Sequence, residues 1–212
     1  MSKEQLVRWL FFIGGLLVLA LGISLTIKGK MFGIGPWDVL HYGLYLQMGL
    51  TVGTWSIIVG LLILMMTALI TKELPKTGAW LNMLLIGVFI DLFLYLLPDV
   101  NTMLGQMAIY VMGVVILGYG IGLYVSADFG AGPRDSLMLL LVEKTGWSVK
   151  WVRNGMEIMV FLLGWLLGGP IGIGTLFIAL CLGAVVDVSL PQCKKMLYLC
   201  LAKMNAKSLS HS

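Results

Sequence analysis

The sequence predicts an all-α membrane protein of about six transmembrane helices, built from two inverted three-helix repeats, each with a short half-helix after a Gly-x-Gly-Pro-x-Asp motif. Three observations carry this. Of 212 residues, 59% are hydrophobic and only 11% charged, far more apolar than a water-soluble domain needs to be. Six apolar runs approach the roughly 20 helical residues that cross a hydrocarbon core. The string GIGPWDVL, Gly33 to Leu40, returns as GAGPRDSL, Gly130 to Leu137.

The spans are expected at Trp9 to Ile27, Gly53 to Ile70, Trp80 to Leu97, Met103 to Val125, Trp151 to Leu167 and Ile171 to Leu190. They leave no room for a soluble domain, so 1–212 reads as one integral membrane unit. Lys3 and Arg8 before the first run resemble a signal peptide, but no small-residue cleavage site follows, and the helix reads as retained. The tail from Gln192 to Ser212, with Lys194, Lys195, Lys203 and Lys207, reads as a short basic helix that frays into disorder. Cys181, Cys193 and Cys200 suggest neither a disulfide framework nor a metal site, and no cofactor is expected.

The net charge of +4 sits beside the spans rather than in an aromatic-interleaved patch, which argues against a nucleic-acid partner. Alternating spans from a cytoplasmic N-terminus place Lys3, Arg8, Lys72, Lys76, Arg134, Lys144, Lys150, Arg153 and the tail lysines inside. Only Lys28 and Lys30 fall outside. The positive-inside rule therefore puts both termini in the cytoplasm.

The repeat runs through both halves, about 9–98 and 103–191. Phe32 and Phe129 precede the two motif copies. GLTV at Gly49 is echoed by GWSV at Gly146, LALGISL at Leu19 by LGYGIGL at Leu117, and Gly87 with Asp91 by Gly183 with Asp187. Three crossings per half force the second half to enter from the opposite side, so the repeats should be inverted, an arrangement that places transporter sites at the repeat interface.

After each motif the apolar helical stretch is only about 12 residues, Trp37 to Met48 and Arg134 to Thr145, too short to span. Pro36 and Pro133 suit a first helical turn, and Gly33, Gly35, Gly130 and Gly132 allow a sharp entry. Asp38 and Asp135 then sit in first turns, where a carboxylate complements the positive helix end. Two such turns meeting from opposite faces would form a polar solute site inside an apolar bundle; capping alone is the competing reading. His41, one turn beyond Asp38, is a candidate proton-sensitive partner or an ordinary satisfied side chain.

Arg153 and Glu157, four apart, can pair on one helix face or gate the site. Asp91 and Asp187 form a candidate gate or second site, or are simply solvated near span ends. Asn82 reads as helix-to-helix glue, Trp37, Trp55, Trp147 and Trp151 as interfacial belt residues, and glycines such as Gly14, Gly15, Gly22, Gly118, Gly120 and Gly122 as close-packing positions. No HExxH, nucleophile elbow, Cys/His cluster or Walker loop proposes catalysis, so the chain reads as a non-enzyme.

The two motifs, together with GLTVGTWSIIVGL after the first and LGWLLGGPIGIGT near the end, resemble the YczE/YyaS/YitT group of bacterial integral membrane proteins, closest to the YczE branch and over nearly the whole chain. That resemblance implies a compact bundle of five or six helices in the cytoplasmic membrane, similar in its glycine-rich build to the substrate-binding subunits of vitamin transporters. It implies no particular activity. Arg134 replaces Trp37 in the second motif, so a site between the motifs would be asymmetric in charge, which favours anionic or zwitterionic solutes. The leading expectation is a small-molecule transporter or solute-binding membrane subunit, Asp38, Asp135, Arg134, His41, Arg153 and Glu157 forming its site, alone or with a partner membrane subunit. The alternative is a membrane-embedded accessory protein that scaffolds another protein through its basic cytoplasmic surface.

Overall fold

The computed structural model describes residues 2–130 and 132–209 and is helical throughout, with no strand among the described residues. The helices are α1 (Lys3–Lys28), α2 (Pro36–Met48), α3 (Val52–Thr71), α4 (Thr77–Leu96), α5 (Met103–Ser126), α6 (Pro133–Thr145), α7 (Val149–Leu166) and α8 (Ile173–Leu209), with a 3-10 turn at Lys30–Phe32 before α2. Each half thus runs long helix, short helix, two further helices.

Local chemistry fixes the ends. Ser2 and Gln5 close a capping box on α1, while Thr51 and Thr102 accept the amides of Thr54 and Gly105 at the starts of α3 and α5, each satisfying an otherwise orphaned donor. The short helices begin at Pro36 and Pro133 and stop at Gly49 (φ 74°) and Gly146 (φ 70°), a left-handed exit that glycine makes without strain.

Among the described residues five helices are long and apolar enough to cross a membrane: α1, α3, α4, α5 and the first part of α8. The remaining expected span, Trp151 to Leu167, coincides with α7, which is 18 residues long but carries Lys150, Arg153 and Glu157 in its first half. One expectation is corrected. The tail from Gln192 is not a separate fraying helix, because α8 runs unbroken from Ile173 to Leu209 through Pro191. Lys, Leu, Ala and Met dominate that stretch and are good helix formers; residues 210–212 lie outside the described residues.

The spine of the bundle is α1 packed antiparallel on α5. A Cβ on Gly15 would meet the Tyr124 backbone at 2.4 Å, one on Gly22 the Leu117 backbone at 2.4 Å, and one on Gly120 the Leu19 backbone at 2.4 Å. Only glycine permits helix axes this close, and with no water to expel in lipid such van der Waals contact is what holds helices together. The expected close-packing role thus holds for Gly15, Gly22 and Gly120, and for Gly118 and Gly122 against Val185 and Ser189 of α8, whereas Gly14 faces open space.

Leu19, Ile23, Ile27, Ile34, Val39, Ile90 and Leu117 fill the core beside this spine. The remaining packing lies both within and between the halves. α4 lies on α1 and α8 on α5, while α2 of the first half packs on α7 and α6 of the second on α3. Lys28 reaches Asp99 at 2.6 Å, tying the end of α1 to the α4–α5 connection.

Candidate functional site

Both motif segments turn into the bundle on a glycine with positive φ, Gly33 at 92° and Gly130 at 113°. Each is wedged between helices. Gly33 lies against Gly172 and Thr175, and the preceding Phe32 carbonyl against Gly174, while Gly130 lies against Lys76 and the Phe129 carbonyl against Gly78. Gly35 abuts Ile178 of α8, and Gly132 abuts Asn82 of α4. Asn82 is buried, in keeping with its expected place between helices.

The two first turns meet. The Arg134 guanidinium lies over the Trp37 ring, 4.8 Å from its centroid, so the residue between Pro and Asp in one motif touches its counterpart in the other. Cation–π contacts of this kind contribute about 0.5–2 kcal/mol, more when desolvated. Trp37 is thus engaged with the second motif, a contact beyond the belt role expected for it. Trp147 and Trp151 are exposed, 64% and 70%.

Arg134 sits within the electrostatic reach of both Asp38 and Asp135. Asp135 lies within electrostatic reach of the Tyr124 hydroxyl and of Arg153 on α7. Arg153 in turn pairs with Glu157 at 3.2 Å on the partly exposed face of α7. The charges thus run Asp38, Arg134, Asp135, Arg153, Glu157, three acids to two bases, a formal sum of −1.

Asp38 is 5% exposed and His41 1%. Neither Oδ1 of Asp38 nor Nδ1 of His41 has a hydrogen-bond partner. Leaving a buried polar atom unpaired costs about 1–3 kcal/mol, more for a charged one, and native structures rarely tolerate it without reason. The expectation of His41 as an ordinary satisfied side chain is corrected on this point.

The sequence-level candidates separate into two places. Asp38, His41, Arg134 and Asp135 converge, with Arg153 and Glu157 at the edge. Asp91 lies elsewhere, at the start of α3, accepting the Gly53 amide at 2.8 Å and the Thr51 hydroxyl at 2.5 Å. Beside it opens a cavity of about 360 Å³ whose polar lining includes Lys28, Lys30, Tyr42, Thr51, Asp91 and Asp99. Lys28 holds the Asp99 carboxyl below its ordinary range through their hydrogen bond and charge attraction. Asp187 is exposed on α8, away from both places.

Sequence reasoning missed Tyr124, Trp37 and the Lys30–Tyr42 contact, in which the lysine also lies 5.0 Å from the ring centroid. For Trp37 a signal existed: it occupies the same motif position as Arg134. Among the described residues no group of three His, Cys, Asp or Glu could hold a metal ion.

A polar, charge-bearing cluster between glycine-broken helices inside an apolar bundle defines a multi-pass helical membrane protein with an internal polar site. Residues 6–191 match the model of a family of unknown function, DUF6198, and the chain belongs to that family. It is 53% identical over 206 residues to an uncharacterized membrane protein, YczE, of Bacillus subtilis, covering 97% of this chain and 96% of that one. It is also 31% identical to the uncharacterized protein YyaS of Bacillus subtilis, over 84% of this chain and 90% of that one, and 31% identical to an uncharacterized protein of Haemophilus influenzae, over 80% and 77%. The resemblance to the YczE/YyaS group is thereby established. No solved structure matches the chain.

Proposed function

We propose that this protein is a small-molecule transporter, or the solute-binding membrane subunit of one, resident in the cytoplasmic membrane. α7 makes a sixth crossing, the two halves are inverted repeats, and both termini face the cytoplasm. The carrying observation is the buried Asp38 Oδ1 and His41 Nδ1, unpaired beside Arg134 where the two motif turns meet. Intramembrane ionisable groups are expensive and mark solute or ion paths. Broken helices whose first turns face each other across a repeat interface are where such sites are built.

Inversion is supported by the antiparallel spine. The Gly22–Leu117 contact and the Leu19–Gly120 contact exchange when each residue is replaced by its counterpart in the LALGISL and LGYGIGL runs. Trp37 and Arg134, counterparts themselves, touch, as residues on a two-fold axis must.

The chemistry of the site narrows the solute. An unpaired carboxylate oxygen and a formal charge of −1 favour a ligand that brings a cationic donor, the unpaired imidazole nitrogen can serve either polarity, and Arg134 accommodates a carboxylate or other anionic end. A zwitterion bearing a primary amine fits both better than a simple anion does.

The test is thermal stability of the detergent-purified protein against a panel of amino acids, amine metabolites and vitamins, beside Asp38→Asn. Binding stabilises the folded state in proportion to the logarithm of ligand concentration over Kd. A saturable rise with an amine-bearing zwitterion, absent in the folded Asp38→Asn protein, is the expected result. No rise with any compound, and full function of the variant in cells, would overturn the reading in favour of an accessory protein docked through α8.

A further inference from the structure

The packing of one half predicts contacts in the other, and nearly all are present. Gly33 against Gly172 has its counterpart in Gly130 against Lys76; Phe32 against Gly174 in Phe129 against Gly78; Gly35 against Ile178 in Gly132 against Asn82. One contact breaks the pattern. In the first half α3 packs on α4 with Gly53 against the Gly87 carbonyl, and Asp91 caps the start of α3. The counterparts of Gly87 and Asp91 are Gly183 and Asp187 on α8, and the counterpart of α3 is α7. No comparable packing joins α7 to α8 among the described residues. A Cβ placed on Gly183 would meet no atom within 4 Å, Asp187 is exposed, and Ser148 at the start of α7 makes no side-chain cap.

We infer that the α7–α8 cleft is one of two alternating gates: in the exchanged conformation Asp187 closes on the N-terminal turn of α7 at Ser148 to Lys150, while Asp91 releases Thr51 and Gly53. This rests on the transport reading above. Three features favour it. A carboxylate inside an apolar span needs a partner or water, and Asp187 meets no salt-bridge partner among the described residues in this conformation while Asp91 is fully engaged. α7 offers exposed polar side chains near its start, Lys150, Arg153 and Asn154, and a groove of about 510 Å³ lies along the same helix, lined by Trp147, Trp151, Asn154, Gly155 and Ile158. Lys150 stands where α3 has Gly53, so the second gate closes through opposite charges instead of a glycine contact.

α8 is also built to bend at this place. Pro191 has no amide hydrogen, so the helix carbonyl four residues earlier, that of Asp187 itself, lacks its donor. Proline is the commonest cause of a helix hinge. Pro191 thus places a hinge one turn beyond Asp187, the carboxylate whose movement the gate requires.

The test uses the full chain in membrane vesicles, with Cys181, Cys193 and Cys200 replaced by alanine. Lys150→Cys with Asp187→Cys forms one pair and Thr51→Cys with Asp91→Cys the other, each oxidised with copper phenanthroline. A disulfide requires the Cα atoms to come within about 7 Å. Each pair alone is expected to form a bond within one chain, and the four-cysteine protein to form either bond but never both in one molecule. Failure of the α7–α8 pair to react, a dimer band for that pair, or both bonds in one molecule would each overturn the inference, showing respectively a static cleft, a second copy covering it, or independent motions. Monodisperse elution of the reduced variants controls for folding. No solute is needed, so a negative here with a ligand-induced rise in stability leaves transport standing, and the reverse outcome separates the two the other way.

Discussion

Replacing Gly22 by alanine puts one methyl group between two backbones. An ideal Cβ there lies 2.4 Å from the Leu117 nitrogen and 2.6 Å from its Cα, where ordinary contact begins at 3.4 Å. Backbone cannot rotate aside as a side chain does, so α1 and α5 must separate by about 1 Å, and a gap of that size forfeits a quarter to a half of each affected dispersion contact. Overpacking of this kind costs about 1–3 kcal/mol, against about 0.5–1 kcal/mol regained from alanine's higher helix propensity. At roughly 2–4 °C per kcal/mol for a chain of this size, Gly22→Ala should melt several degrees below the parent in mild detergent, followed by tryptophan fluorescence. Gly14→Ala is the control, because nothing lies within 4 Å of its Cβ, and it should hold or raise the melting temperature. Gly120→Ala strikes the same interface at Leu19. Once one methyl has parted the helices the second costs less, so the double variant should lose less than the sum of the singles. A Gly22→Ala protein as stable as Gly14→Ala, or strict additivity of the pair, would refute the close-packed spine.

Asp91→Asn should lower stability by about 0.5–2 kcal/mol, the usual worth of a helix cap, whereas Asp187→Asn, exposed and without a cap, should change stability little; equal losses from the two in a thermal melt would contradict the asymmetry between the gates. The Lys28–Asp99 pair supplies a pH signature. Its folded carboxyl lies below the ordinary 3.8, so its stabilising effect is complete above that value and fades as pH falls through the lower native one. Melts of the parent and of Asp99→Asn should therefore differ by a constant small amount well above 3.8 and converge once the pH falls below the native carboxyl's lowered value, and a difference that grew on acidification would reverse the sign of the linkage.

How far the sequence was readable follows from what each signal depends on. The short helices at Pro36 and Pro133 were legible to within a residue, because proline entry and glycine exit are local chemistry. Five spans were legible because hydrophobic length is additive along the chain. The meeting of Trp37 with Arg134 was not read, since a tryptophan beside a polar loop has a default meaning that only tertiary packing overrides. The unpaired state of His41 likewise depends on what α2 packs against. The tail was misjudged because its lysines looked like a solvated end, although apolar residues at Met196, Leu197, Leu199 and Leu201 carry the helix on.

The α1–α5 spine has one further consequence, for assembly. An interface whose contacts survive exchange of its two sides is isologous, the kind that otherwise joins identical subunits into a closed pair. Neither half contains both sides of it, so a nascent chain that has inserted only α1 to α4 still carries the glycine face of α1 bare to lipid and waits for α5 to arrive. The link across Asp99 to Thr102 then serves mainly to keep the two pieces at high effective concentration. Two polypeptides divided there and made together should find one another in the bilayer and dock through the same glycines, as two subunits would.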